Sequence, residues 1–364
     1  MTGQNRVHVL GLGSIGTFAA HSLAEIPELS ITLLLHRASL LDSYVRNGSR
    51  ISLKTIEGDV VSHSKYNFEI LREGSWYLPF STEPATGSMV TEEIENLIVC
   101  VKATQTVEAL RPLKQRLTRN STILFLQNGS GMIDDANRQL FVDPQTRPKY
   151  IIGVISHGVS LNEPFNITHT GFAATSLGAV LRSSGTDEDA LDNGGKDYML
   201  EKLPLVPRFN AKSYSFTDVL QIQLEKLAVN AFCNPLCALN DAKNGFLFTI
   251  PDTRKAILSE ISNVVRALPE LQTVPGVGER FSVGRLEETV NAIINKTFET
   301  TCSMVWDLRA GRKTEIQFIN GYWSRRGREV GIATPINDSL VEQITHREAQ
   351  RRQMQQEGEC LLTL

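Results

Sequence analysis

The sequence predicts an α/β protein with a doubly wound sheet at its N-terminal end and an all-helical C-terminal domain. Three observations predict it. A short apolar run, RVHVL at 6–10, leads straight into the glycine turn GLGSIG at 11–16, and an apolar-periodic helix follows over about 17–26. Strand-like apolar runs then alternate with helical or turn-rich text. Beyond about 205–215 the pattern is helical to the end, so the domains are expected to span 1–208 and 209–364.

Length and composition narrow the classes. The chain has 364 residues, room for two ordinary domains, and 41% of them are hydrophobic, enough for sizeable cores. The formal net charge is −3 and no long basic run occurs, so a nucleic-acid partner is not expected. No apolar stretch approaches a membrane span. The opening MTGQNR leads at once into a strand, which leaves no room for a secretory or transit peptide, and a cytoplasmic location is the expectation. The five cysteines form no CxxC pair and the seven histidines show no metal-motif spacing. Reduced core thiols and no metal site are expected.

The glycines at 11, 13 and 16 have separate tasks. Gly11 permits the tight turn, Gly13 lets the backbone approach a pyrophosphate, and Gly16 allows close helix–strand packing. Leu12, Ser14 and Ile15 complete a Rossmann-like turn whose helix N-terminus faces the phosphates. The next strand, SITLLLHR at 30–37, ends in His36-Arg37 where an NAD enzyme usually carries an acid for the ribose. A guanidinium suits a 2′-phosphate, so Arg37 points to NADPH, with a surface arginine as the alternative. Asp42 comes too late to serve as the ribose acid.

Over 50–90, ISLKTI and VVSHSKYNFEIL read as strands added to the sheet, followed by a Gly/Ser/Pro/Thr-rich loop. LIVCVKATQT at 97–106 is a buried strand ending at Lys102, and STILFLQNGSG at 121–131 ends in Asn128-Gly129. Ligands of open parallel sheets gather beyond the carboxyl ends of strands, so Lys102 and Asn128 are cofactor-side candidates, with an ordinary turn residue as the alternative for either. The β-rich text from about 150 to 180 is expected to extend the sheet, with His157 structural. Residues 182–196 have the composition of an exposed loop. LPLVP at 203–207 reads as one more strand-like piece.

EKLAVNAFCNPLCALNDAKNG at 225–245 reads as a helix that carries Lys226, Asn230 and Asn234 at steps of four. Such steps keep the three side chains within an arc of roughly 80°. Leu227, Ala228, Val229, Ala231, Phe232 and Cys233 beside them are apolar, so the stripe is polar on a buried helix. Buried polar groups need partners, which a polar substrate can supply, the alternative being a solvated face with a snorkelling lysine. Pro235 is expected to kink the helix just beyond. Further on, Ser303 and Glu315 stand twelve apart, and TEIQFINGY has helical spacing. Arg309, Arg312, Arg325 and Arg326 read as solvated or oligomer-facing.

GLGSIG, VKATQT, LQNGSG, EKLAVNAFCNPLCAL, Asn244-Gly245, SMVWDLRAGRKTEIQFINGY and GIATPIN, in this order over nearly the whole chain, resemble the ketopantoate reductase (2-dehydropantoate 2-reductase) family. The extra loops at 72–92 and 182–196 suit a fungal member. The resemblance implies a Rossmann domain, a helical domain, and NADPH-dependent reduction of a 2-oxoacid on the way to pantothenate and coenzyme A. Lys226 takes the place of the catalytic lysine. Asn230, Asn234, Asn244 and Ser303 match substrate-binding positions, and Asn128 matches a residue that touches both ligands. Lys102 and Glu315 match cofactor-side positions, and Arg37 the arginine that selects the 2′-phosphate. Bacterial members often carry Asn three residues before the serine. Thr300 stands there in this chain, which keeps a different branched 2-oxoacid open as substrate. A non-catalytic NADPH-binding sensor is the third reading, and such proteins often lose the lysine or the glutamate that this chain keeps. Monomer and homodimer are both compatible with the sequence.

Overall fold

A computed structural model describes residues 5–79, 88–181 and 197–362, with side chains as far as Met354. The expected loop at 182–196 and the 80–87 part of the one at 72–92 lie outside the described residues. The chain divides into two compact units, Met1–Gln127 with Met132–Leu220, and Asn128–Gly131 with Gln221–Leu364.

The first unit is built on a nine-stranded sheet. Its first strand, β1 (Arg6–Leu10), pairs in parallel with β2 (Ser30–Leu35) on one side and with a strand at Asn96–Val99 on the other. All of Val7–Leu10 and Ile31–Leu35 are buried, as a central parallel strand covered on both faces requires. In chain order the remaining strands are β3 (Ile51–Lys54), β4 (Val60–His63), β5 (Asn67–Arg72), β6 (Ser75–Tyr77), β7 (the Asn96–Val99 strand), β8 (Thr122–Phe125), β9 (Lys149–Ile155), β10 (Gly158–Glu163), β11 (Asn166–Gly171), β12 (Thr175–Ala179) and β13 (Ala211–Ser213). The main sheet runs β13-β12-β9-β8-β7-β1-β2-β5-β6. The chain thus winds outward from β1 to β2 and β5, then returns to the other side of β1 at β7. That reversal opens a crevice beyond the carboxyl ends of β1 and β7.

The expected sheet additions divide into two groups. β5, β6, β9 and β12 do extend the main sheet, but β3, β4, β10 and β11 form a separate sheet in the order β10-β11-β3-β4. Ile51 and Leu53 of β3 are buried while Lys54 is exposed, so one face covers the helix Ser14–Leu23 and the other meets solvent. Phe18 of that helix is fully buried between His157, His169 and Phe209. His157 bonds to His169 and to the Phe209 carbonyl, a packing role. The LPLVP segment is not a strand. It forms two 3₁₀ turns, Leu203–Leu205 and Pro207–Phe209, because Pro204 and Pro207 have no N–H to give a ladder.

In the second unit the helix Phe216–Leu239 carries Pro235 inside it. Proline has no N–H, so the Ala231 carbonyl four residues earlier loses its helical donor. The side chain of Asn320 replaces it, Nδ2 donating to the Ala231 oxygen at 2.9 Å. The same amide also donates to Asn337 Oδ1 at 3.0 Å. Asn337 Nδ2 in turn donates to Glu260 Oε2 at 2.8 Å, and that carboxylate accepts the backbone N–H groups of Ile336 and Asn337. Asn320 and Asn337 are fully buried. One chain of hydrogen bonds therefore ties together the helices Phe216–Leu239, Pro251–Ala267, Asn320–Glu329 and Pro335–Leu362. Trp323, Phe232, Ile257 and Ile344, all fully buried, pack the apolar core of this unit.

TEIQFINGY is not one continuous helix. It breaks at Ile319 (φ −110°, ψ −90°) between a 3₁₀ turn, Ile316–Phe318, and the helix Asn320–Glu329. The break frees the Phe318 carbonyl, which accepts from the Ser130 N–H at 2.9 Å. Among the described residues no helix is long and apolar enough to cross a membrane, and Cys100, Cys233, Cys237 and Cys302 are free thiols.

Asn320→Ala leaves the Ala231 carbonyl and Asn337 Oδ1 without this donor and is expected to destabilise the protein by about 2–4 kcal/mol. Pro235→Ala restores a backbone donor to Ala231, so the double variant is expected to recover part of that loss. A urea-denaturation cycle measures the coupling. Strictly additive effects would remove Asn320 as the replacement donor.

Candidate active site

Each unit presents one group of predicted residues. In the first, the turn between β1 and the helix Ser14–Leu23 is shaped by two glycines. A Cβ at Gly11 (φ +94°) would lie 2.5 Å from the Val101 nitrogen, and one at Gly16 would lie 1.8 Å from the Gly11 oxygen. Neither position has room for a side chain. Gly13 differs, because a Cβ there would meet nothing within 4 Å. The fold itself does not demand that glycine. It is the exposed cap of the helix, and its missing side chain leaves the first helical N–H groups, at Ser14 and Ile15, open to an approaching anion. Leu12 and Ile15 pack against the core, and Thr17 Oγ1 donates to the Leu12 carbonyl at 3.2 Å. The turn is a rigid cradle.

Lys102, partly buried, lies just beyond β7 and opens the 3₁₀ turn Ala103–Gln105. The preceding residue, Val101, is the one that crowds Gly11, so Lys102 and the glycine turn share the carboxyl edge of the sheet. Gln127 stabilises this edge, donating to the Val101 carbonyl at 2.7 Å and to Thr106 Oγ1 at 2.8 Å. Arg37 is exposed two residues beyond β2.

In the second unit Lys226, Asn230 and Asn234 all lie on the helix Phe216–Leu239. Lys226 Nζ donates to Asn128 Oδ1 at 2.9 Å. Burial lowers the lysine from its usual 10.5 to about 8, against the pull of the Glu315 carboxylate, which raises it. Lys226, Asn128 and Glu315 thus form one electrostatic group. Asn128 is held there by its neighbours. Gly129 (φ +89°) packs so closely that a Cβ would lie 2.8 Å from the Phe318 oxygen, and Ser130 bonds to the same oxygen. Among the described residues, the carboxamides of Asn230 and Asn234 have no hydrogen-bond partner, and Asn234 is only 9% exposed.

The remaining two substrate candidates differ from each other. Ser303 is exposed and begins the helix Ser303–Arg309. Asn244 is buried in a separate 3₁₀ turn, Asn244–Thr249, rather than on the long helix. Its Nδ2 donates to Thr297 Oγ1 at 2.9 Å, its Oδ1 accepts from the Cys237 thiol at 3.7 Å, and its N–H donates to the Thr300 carbonyl at 3.0 Å. Asn244 therefore holds the 297–300 turn that leads to Ser303.

Comparison with known proteins gives these two groups a common context. A family model for ketopantoate reductase PanE/ApbA matches residues 7–182, and the model for its C-terminal part matches 218–348. The chain belongs to the ketopantoate reductase family. It is 28% identical to the 2-dehydropantoate 2-reductase of Saccharomyces cerevisiae over 97% of both chains. It is also 28% identical to a ketoisovalerate reductase of Gibberella fujikuroi, over 87% of this chain and 77% of the other. A ketopantoate reductase family structure from Ralstonia eutropha superposes with a TM-score of 0.69 at 19% identity, covering 95% of this chain and 99% of that one.

Within this ketopantoate reductase family member, sequence reading missed Gln127, Phe318, Asn320 and Asn337. Their signals were present as the glutamine of LQNGSG and the asparagines of FINGY and TPIN. What no local pattern carries is the partner of each.

The glycine turn makes a direct test. Gly16→Ala forces a backbone clash and is expected to lower the thermal midpoint sharply. Gly13→Ala is expected to fold with a stability within about 1 kcal/mol of the original. Scanning calorimetry of the two variants reads the contrast, and equal losses would show that Gly13 too is needed by the fold.

Proposed function

We propose that this chain is an NADPH-dependent 2-oxoacid reductase that converts 2-dehydropantoate to pantoate, on the way to pantothenate and coenzyme A, with Lys226 as general acid. One observation carries the reading: a lysine lowered to about 8, bonded to Asn128 and charged by Glu315, stands on the same helix as two unpartnered carboxamides. At neutral pH such a lysine is still charged yet gives up its proton more readily than an ordinary one.

Gly11, Leu12, Gly13, Ser14, Ile15 and Gly16 would cradle the pyrophosphate, and the open space at Gly13 fits a group that must come close to the backbone. Arg37 would pair with the 2′-phosphate, and Lys102 would take a further cofactor contact. When bound, NADPH supplies the hydride that reduces the ketone carbon. The protein supplies the rest. Lys226 Nζ hydrogen-bonds the carbonyl oxygen as negative charge grows there, then delivers the proton. Asn230 and Asn234 orient the substrate oxygens, and Ser303, positioned through Asn244, holds the carboxylate. Asn128 fixes the Lys226 ammonium, and Glu315 keeps it charged. The reading carries with it an NADP-binding domain at 1–208, a catalytic domain at 209–364, and a cytoplasmic enzyme acting as monomer or homodimer.

A second substrate, 2-oxoisovalerate, has a specific observation behind it. One relative is a ketoisovalerate reductase, and Thr300 replaces the asparagine often found three residues before the serine. The loss of NADPH absorbance with each acid in turn separates the two. Selective turnover of 2-dehydropantoate is the expected result, and faster turnover of 2-oxoisovalerate would move the substrate while keeping the mechanism. NADPH binding without turnover of either would favour a sensor.

Lys226→Ala is expected to lose about 10²–10⁴ in kcat, the usual worth of a general acid. The protonated lysine is the active form, so kcat/KM for reduction is expected to be flat below pH about 8 and to fall above it. A profile unchanged through that range, or a Lys226→Ala variant of near-normal turnover, would assign the proton to another group.

A further inference from the structure

Away from these residues, the first unit brings together three metal-ligating side chains that nothing in the proposed reduction uses. His21 stands near the end of the helix Ser14–Leu23, Glu25 follows one turn later, and His63 ends β4. One ligand atom from each lies within 4.8 Å of the other two. The two imidazoles are tilted by 60° with ring centroids 4.6 Å apart.

The hydrogen bonding leaves lone pairs over. His21 is completely buried, and its Nε2 lies 3.0 Å from the Val61 carbonyl, so that nitrogen carries the hydrogen. In the neutral ring the remaining nitrogen, Nδ1, then has a lone pair. Burial, opposed by the Val61 bond, keeps the ring neutral, lowering its pKa to about 3. His21 Nδ1 and His63 Nε2 are both sealed from solvent with no hydrogen-bond partner. A buried acceptor without a donor, as His21 Nδ1 is, costs about 1–3 kcal/mol, and a cation shared with His63 Nε2 would satisfy both nitrogens.

We propose that His21, Glu25 and His63 form a zinc site. Two imidazole nitrogens and a carboxylate suit Zn²⁺, with the fourth position left for water. Ligand atoms on a four-coordinate zinc lie roughly 3.4 Å apart, so side-chain rotations of about 1 Å would close the site. The Val61 carbonyl already does what a supporting group does for a metal-bound histidine: it fixes the tautomer through the other ring nitrogen. Arg208 Nε donates to Glu25 Oε1 at 2.8 Å, orienting the carboxylate while its charge tempers the affinity. Glu25 also lines an open pocket of about 380 Å³ with Glu57, His169 and Arg208, so the carboxylate end of the cluster meets solvent. β4 is the edge of the four-stranded sheet, so the bound ion would clip that edge to the end of the helix. His21 and Glu25 are four apart but His63 comes from a distant strand, so no linear metal motif announces the site.

Cobalt and zinc titrations of the metal-free full-length protein test the proposal. One Co²⁺ per chain is expected to give visible absorption bands of low-symmetry four- or five-coordination, displaced by one equivalent of Zn²⁺. Zn²⁺ is expected to raise the thermal midpoint, as any ligand of the native state does. His63→Ala and the isosteric Glu25→Gln, each shown to be folded by circular dichroism, are expected to weaken binding at least tenfold and to lose the thermal shift. Absence of saturable binding, bands that survive His63→Ala, or thiolate-to-cobalt charge transfer from a cysteine site would each overturn it.

Discussion

The second unit depends on a hydrogen bond that its main helix cannot make for itself. Pro235 deprives the Ala231 carbonyl of a donor in the middle of a buried helix, and the Asn320 amide replaces it. Asn320 is then held by Asn337 and Asn337 by Glu260, all in apolar surroundings. A polar network of this kind is useful only when every link is made, since each broken link leaves a buried group unsatisfied. The stripe of Lys226, Asn230 and Asn234 lies directly before the proline. Asn234, the last of the three, therefore stands beside the one backbone gap that the Asn320 amide closes.

A second constraint fixes what Lys226 meets. The short segment Asn128–Gly131 continues from β8 but packs with the helical elements. It can do so because Gly129 brings backbone against the Phe318 carbonyl at a distance that no side chain would allow. The break at Ile319 that frees this carbonyl also begins the helix whose first residue is Asn320. Asn128 and Asn320 are therefore placed by the same irregularity, one on each side of it. A straight helix through TEIQFINGY would forfeit both.

Much of this was legible from local pattern. The turn could be read because Gly11 and Gly16 answer requirements of the tight turn and of helix–strand packing, and Gly13 completes a known spacing between them. The stripe on the long helix could be read because steps of four keep one direction. The rest was hidden because it depends on contacts distant in sequence. β3 and β4 look like any short strands, and only their pairing through β11 shows that they leave the main sheet. LPLVP looks like a strand until its prolines are counted as missing donors. Asn244 was expected to follow on the same helix, and only the structure shows it in a separate turn with its amide engaged by Thr297 and Cys237. Glu315 was expected beside a cofactor from a family resemblance, and no spacing announces that its charge also acts on Lys226.

That last pairing explains how a partly buried lysine remains useful. Lowering an ammonium from 10.5 to about 8 costs the folded state about 3 kcal/mol at neutral pH. A protein selected for stability alone would place an apolar residue at this point of the helix. The cost is tolerable because the lowering stops short of neutrality. Burial alone would push the lysine further, toward the neutral amine. The Glu315 carboxylate opposes that push, and Asn128 accepts a hydrogen bond from the charged form. The two groups act differently: Glu315 supplies charge, and Asn128 accepts a hydrogen bond from the ammonium. Burial sets the acidity, Glu315 limits it, and Asn128 aims it. All three act on one nitrogen, and the helix that carries it is closed over its internal proline by Asn320.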